Sequence, residues 1–236
     1  MKISIAIPTW ESHGRGKEFL DDLLRTIEIQ TFKDFEIVIS DHSVDNSLLD
    51  VVYEFKNKFE ISYFKNEDKR GNGPFNTNKV ISKCSGDIIK IMFQDDFFYD
   101  DESLQKIYNC FEKDINWLLC GSNHTINDGH NFYWDLYPSW NDNILKGTNT
   151  LGSPSCLSFK KHLFEKVKFD ENLVMLMDCE YFYSLRKEFG DPYYLNDVLI
   201  TNRVHKNQIS LRYCDNNDYR QNIENEIEYC LTKHSI

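Results

Sequence analysis

DIIKIMFQDD, residues 87–96, is a nearly unbroken apolar run that ends on two adjacent carboxylates, Asp95 and Asp96. The apolar part is short and bounded by turn residues, which reads as a buried strand rather than a helix. A sheet interior does not accept an unpaired carboxylate. The strand must therefore leave the sheet at the acidic pair, and the pair needs a cation or a helix start to answer it. Working outward, ISIAI (3–7, ended by Pro8) reads as a buried strand, and FEIVIS (35–40) and ISYFK (61–65) read as the second and third strands. Helical spacing of apolar residues fills the gaps at 17–28 and 46–59, from about Phe75 to Cys84, and at 102–113. Four strands alternating with helices predict an α/β fold, a mostly parallel central sheet flanked by helices. Ligands of such sheets bind beyond the carboxyl ends of the strands. Three polar clusters fall there: Thr9 to Glu11, Asp41 to Asp45, and Asp95 with Asp96.

The second half is less regular. WLLCGS (117–122), CLSF (156–159) and VLITNRV (198–204) read as strands, 177–189 as a helix, and 216–233 as a polar amphipathic helix. No repeat or linker separates the halves. The expectation is one catalytic domain over 1–236, with a ligand-binding half (1–100), a smaller lobe (101–210) and a helical tail (211–236). A chain of 236 residues, 41 % hydrophobic, has enough apolar material for a real core. The net charge of −11 argues against a nucleic-acid polymer as partner, although a nucleotide can still bind through a divalent metal. The seven cysteines are scattered without a CxxC pair, which fits reduced, packed thiols in a cytoplasmic protein. No apolar stretch is long enough to span a bilayer, and the N-terminus reads as a first strand rather than a signal peptide. Membrane contact is expected to be peripheral at most.

Adjacent carboxylates at a strand end make a hard-oxygen site for Mg²⁺ or Mn²⁺, shared with substrate phosphates. The plainer reading is a helix N-cap, a role that Asp100 and Asp101 already fill. Asp178 and Glu180 form a second acidic pair. On a helix, Glu180 points about 160° away from Asp178, so only one of them can aim into a cleft. The apolar neighbours Met175, Met177 and Phe182 would raise the pKa of Asp178 and make it a usable base; a carboxylate favoured by the helix dipole is the alternative. Lys69 and Arg70, at the head of the RGNGP loop (70–74), could meet phosphate; a solvated turn is the alternative. HGRGKE (13–18) lacks P-loop spacing. The rings of FYWDLYPSW (132–140) could stack on sugar or pack in the core.

Four ordered stretches resemble the family 2 glycosyltransferases of the GT-A fold. They are SIAIPTW (4–10), IVISDHSVDNS (37–47), RGNGPFNTNKVISKCSGDIIKIMFQDD (70–96), and MDCEYFYSLRK (177–187) with RVHKNQIS (203–210). The resemblance implies a Rossmann-like, mostly parallel sheet with an acceptor-side lobe. It also implies transfer of a sugar, with inversion, from a UDP-, GDP- or dTDP-linked donor to a glycan, lipid-linked or protein hydroxyl in surface polysaccharide or glycan synthesis. Pro8, Thr9, Glu11, Asp41, Arg70, Asn78 and Asp95 would bind the nucleotide sugar. Asp96 would be the principal ligand of Mn²⁺ or Mg²⁺, helped by His205. Asp178 would be the general base. Trp134, Trp140 and Glu180 would lie on the acceptor side, and GSPS (152–155) beside the donor sugar. The family's Asp-x-Asp motif is reduced here to Gln94-Asp95-Asp96. Two other readings stand beside this one. A nucleotidyltransferase would carry a Gly-rich basic loop after the first strand, where this chain has PTWESHGRGKE. A non-catalytic glycan-binding protein on the same fold would bind glycans without transfer.

Overall fold

The computed structural model describes residues 1–126, 131–206, 208 and 217–236. Strands Ile3–Thr9 (β1), Phe35–Asp41 (β2), Ile61–Lys65 (β3) and Ile88–Ile91 (β4) pair in parallel in the order β3-β2-β1-β4. Their side chains are isoleucine-rich and β1, β2 and β4 are almost wholly buried, as a sheet covered on both faces requires. The helices between them are Gly16–Glu28 (α1), Ser47–Phe55 (α2) and Gly73–Lys83 (α3). The chain moves outward from β1 to β3, then returns across the sheet to β4. Right-handed crossovers therefore set α3 on the opposite face from α1 and α2. The reversal lies between β1 and β4, and the crevice beyond their carboxyl ends is where ligands of open α/β sheets bind.

Beyond β4 the sheet becomes mixed. Leu157–Lys160 (β8) runs antiparallel to β4 and to Trp117–Thr125 (β6). Strand Tyr193–Arg203 (β9) is parallel to β6, and Phe97–Phe98 (β5) closes the edge antiparallel to β9. Phe132–Leu136 (β7) pairs with β6 off this path. Strands of both halves thus share one sheet, and past the first four strands the β6/β9 pair is parallel while the other described pairings are antiparallel. Ser103–Phe111 (α4), Leu163–Lys166 (α5), Met177–Phe189 (α6) and Asn217–His234 (α7) complete the described α-helices, beside short 3-10 turns at Ser12–Gly14, Ile144–Lys146 and Pro154–Cys156. Cys230 on α7 is buried, with Ile227 and Leu231 against the core, so the tail helix is docked. The six described cysteines are free thiols, all buried. Asp100 lies just before α4, where its Oδ1 accepts from Ser103 Oγ at 2.7 Å and from Glu102 N–H at 3.1 Å, but the N-cap itself is Glu102, without a side-chain capping bond.

Candidate active site

β4 ends at Ile91, and the next residues turn out of the sheet. Phe93 N–H donates to Ser155 Oγ at 3.0 Å, and Asp96 N–H closes a turn on Phe93 O at 3.0 Å. Gln94 fixes this turn across the β1/β4 crevice. Its Oε1 accepts from Trp10 N–H and its Nε2 donates to Trp10 O, both at 2.8 Å. The acidic pair is thereby held opposite the end of β1. Asp96 is buried, and burial followed by the neighbouring Asp95 charge pushes its carboxyl up to about 7. Ser153 Oγ reaches Asp96 Oδ2 at 3.4 Å and accepts from Asn202 Nδ2 at 2.8 Å. Asp95 Oδ2 lies 3.2 Å from His205 Nε2. Underneath, Lys90 is fully buried with its ammonium on Ser155 O, and burial drives its pKa down. That cation is too desolvated to serve as a full countercharge to two carboxylates.

The donor set of Asp95, Asp96 and His205 is hard and oxygen-rich, and His205 Nδ1 is buried without a partner among the described residues. The two carboxylates could take Mg²⁺ or Mn²⁺ only in an open site completed by phosphate oxygens. Among the described residues no group of three His, Cys, Asp or Glu side chains is placed to hold a metal ion by itself.

At the end of β2, Asp41 is fully buried. Its Oδ1 accepts from Ser43 N–H at 2.8 Å, and its Oδ2 from Tyr63 OH at 2.6 Å and Lys65 Nζ at 2.9 Å. The carboxylate is therefore occupied by protein donors. The next two residues are different: His42 Nε2 and Ser43 Oγ are buried with no partner among the described residues. Glu11 Oε2 accepts from Val44 N–H at 3.3 Å, and Thr9 Oγ1 donates to Ser40 O at 3.3 Å, so the ends of β1 and β2 are tied together beside Pro8. Asn76, rather than Asn78, sits among these strand ends. Asn76 Oδ1 accepts from Ser40 Oγ and Asn66 Nδ2, and its Nδ2 donates to Ser40 O and Thr9 O. Asn78 is turned elsewhere on α3, with both amide atoms bonded to the backbone of Phe169 at 2.8 and 3.0 Å. Arg70 is exposed in the loop before α3, with Nη2 on Glu67 at 3.2 Å.

Asp178 opens α6 in a half-buried position. Burial raises its carboxyl above the ordinary range, against hydrogen bonds from Cys179 N–H at 2.7 Å and Asn149 Nδ2 at 2.9 Å. Asn149 also donates to Gly152 O at 2.9 Å. Gly152 has φ +98° and an added Cβ would fall 2.8 Å from Cys156 Sγ, so this loop needs glycine. Residues 149–153 thus join the Asp178 carboxyl to the Asp96 carboxyl.

Glu180 does not join the site. It is fully buried, and its Oε1 accepts from Ser184 Oγ at 2.8 Å, Lys233 Nζ at 2.8 Å and His234 Nε2 at 3.0 Å. A carboxylate on the inner side of α6 needs such partners, and α7 supplies two of them. Trp140 is also engaged: its ring lies under the Arg186 guanidinium, 4.0 Å away, and its Nε1 donates to Asp142 at 2.8 Å. Trp134 is exposed.

Glu226 of α7 was not visible as a site residue, because its partners lie 50 or more residues away. Its carboxylate accepts from Val174, Met175 and Leu176 N–H, each at 2.9 Å, at the entry to α6. Three charge-assisted bonds fix the backbone that aims Asp178. Glu226→Ala is expected to lose about 1–3 kcal/mol of stability and to lower kcat with little change in donor KM. Thermal melts and steady-state kinetics check both; an unchanged kcat in a folded variant would limit Glu226 to stability.

Comparisons with known proteins agree with the fold. The chain is 29 % identical over 128 residues to the poly(ribitol-phosphate) beta-glucosyltransferase of Bacillus spizizenii, covering 54 % of this chain and 20 % of that one. It therefore spans about a fifth of the length of that relative. S. aureus TarS superposes with a TM-score of 0.70 at 20 % identity, over 86 % of this chain and 37 % of TarS. TarS has also been solved with UDP-GlcNAc. The Pyrobaculum calidifontis mannosyltransferase PcManGT, solved with GDP-Man and Mn²⁺, superposes with a TM-score of 0.66 at 15 % identity, over 87 % of this chain and 57 % of that one. A family model, Glycosyl transferase family 2, matches residues 4–173, and the chain belongs to that family of glycosyltransferases.

Proposed function

We propose that the chain moves a sugar from a nucleotide diphosphate sugar to a hydroxyl acceptor with inversion at the anomeric carbon, in surface polysaccharide or glycan synthesis. The observation that carries this reading is the 149–153 loop, which ties Asp178 through Asn149 and Asp96 through Ser153. One carboxylate serves the acceptor, the other the leaving group, and their spacing is set by the same short loop. The base and ribose would lie over the ends of β1 and β2. There Pro8, Thr9, Glu11 and Asp41 shape the floor, and the unpaired His42 Nε2 and Ser43 Oγ offer hydrogen bonds. Arg70 would approach the diphosphate.

Asp178 accepts the proton of the acceptor hydroxyl as that oxygen attacks the anomeric carbon. The bond from carbon to diphosphate oxygen breaks, and the nucleoside diphosphate leaves with the electron pair. Asp96, with Asp95 and His205, would hold Mn²⁺ or Mg²⁺, whose contribution when bound is to neutralise charge on the departing diphosphate. UDP-, GDP- and dTDP-sugars all remain donors of this class, and the complexes of TarS with UDP-GlcNAc and of PcManGT with GDP-Man and Mn²⁺ support it. No described helix is long and apolar enough to cross a membrane. Action in the cytoplasm, with peripheral contact at the inner membrane face for a lipid-linked acceptor, completes the proposal.

The test is a thermal-shift screen of UDP-, GDP- and dTDP-sugars with and without Mn²⁺. One nucleotide sugar is expected to stabilise the protein, at 100-fold excess over its Kd by about 2.7 kcal/mol, only when Mn²⁺ is present. Stabilisation by none of them would overturn the reading. Release of pyrophosphate rather than nucleoside diphosphate would convert it to nucleotidyl transfer.

A further inference from the structure

β7 is exposed along nearly its whole length, and what it exposes is aromatic: Phe132, Tyr133 and Trp134, with Tyr137 just beyond. Trp134 is 72 % exposed, the highest value among the exposed large hydrophobics, shared only with Val44. A strand normally sends successive side chains to opposite faces. Trp134 breaks that rule. Its φ is +51°, a left-handed conformation that is an outlier for a bulky residue. The other described non-glycine residues with positive φ are Ser12, His13, Lys69, Asp114 and Ser235, all outside strands. The register of β6 with β7 is also irregular between Ser122 and His124. The result is that the neighbours Tyr133 and Trp134 both lie against the ring of His124, with centroids at 5.9 and 5.8 Å. His124 Nδ1 meets Trp134 O at 3.2 Å and holds the distortion. Tyr99 and Phe132 form a second pair, edge to face at 5.5 Å.

Strain retained in order to expose rings points to a ligand rather than to packing. The strip is continuous with the catalytic loop. Past Tyr137, Ser139 and Thr150 exchange hydrogen bonds, Ser139 N–H to Thr150 O at 3.1 Å and Thr150 Oγ1 to Ser139 O at 2.6 Å. Asn149, next in line, holds Asp178. Flat rings without a basic side chain between Phe132 and Tyr137, on a chain of net charge −11, disfavour an anionic phospholipid surface. They suit the apolar C–H faces of neutral pyranoses.

We propose that Tyr133, His124 and Trp134 form a stacking platform for a neutral oligosaccharide chain, the acceptor glycan distant from its reacting end. This rests on the glycosyl-transfer reading for its purpose, but not for its test. The protein is titrated, without nucleotide, with chitohexaose and cellohexaose and with the matching monosaccharides, following tryptophan fluorescence and calorimetric heat. At least one hexasaccharide is expected to bind and to perturb the fluorescence, with its monosaccharide binding far more weakly. Trp134→Ala is expected to weaken that binding at least 10-fold while leaving UDP- or GDP-sugar binding with Mn²⁺ unchanged. Trp134→Phe should restore most of it, since a ring face is retained. Failure of both hexasaccharides to bind, or equal affinity in Trp134→Ala, overturns the platform, as does binding only to phosphatidylglycerol vesicles. Failure of every donor to bind while hexasaccharide binding persists overturns the transfer reading and leaves the platform standing.

Discussion

Asp178→Asn is expected to bind the nucleotide sugar as the native protein does and to lose transfer by about 10²–10⁴-fold. The amide keeps the shape of the side chain at the start of α6 and can still meet Asn149, but it cannot take a proton. The native enzyme should also show an acid limb in kcat/KM. Burial raises the Asp178 carboxyl above its ordinary range, so the active carboxylate form is lost at a higher pH than for a solvated aspartate, whose pKa is about 3.9. Activity should rise as pH passes upward through the raised value. Single-turnover rates across pH, with donor affinity measured separately, check both points. Transfer within a few-fold of native in Asp178→Asn would place the base elsewhere.

Asp96→Asn carries two effects of opposite sign. Mn²⁺-dependent nucleotide binding should disappear, since the principal hard carboxylate is gone. In metal-free solution the same variant should be more stable than the native protein at high pH. The folded carboxyl sits at about 7 while an unfolded aspartate sits near 3.9, so the folded state binds the proton more tightly. Stability from this group is complete below pH 4, falls as pH rises, and is fully lost once pH exceeds about 7. The charged carboxylate is then buried at a cost that an uncharged Asn escapes. Melting curves at pH 5 and pH 8 in chelator, together with nucleotide titrations in Mn²⁺, separate the two effects. Retained Mn²⁺-dependent binding would remove Asp96 from the metal role.

The sequence by itself determined the elements and the ends that matter. Mostly apolar runs identified the four strands of the first half; β1, β2 and β4 are buried on both faces, while the edge strand β3 is only partly buried. Polar residues at their carboxyl ends marked the ligand side, and the 177–189 helix was legible to its boundaries. Order and partnership came only from the tertiary structure. The β1/β4 switch point follows from pairing residues more than 80 apart, which no local pattern encodes. The Gln94 clamp on Trp10 and the hold of Glu226 on residues 174–176 are equally non-local.

The same limit explains where individual residues parted from expectation. Asn76 and Asn78 lie two apart on α3, as Asp178 and Glu180 do on α6. Two residues of α-helix turn the side chain to nearly the opposite face. Periodicity shows that only one of each pair can face the crevice. Which one does so is decided by the strands behind α3 and by Lys233 and His234 of α7, which claim Glu180 and leave Asp178 to the site.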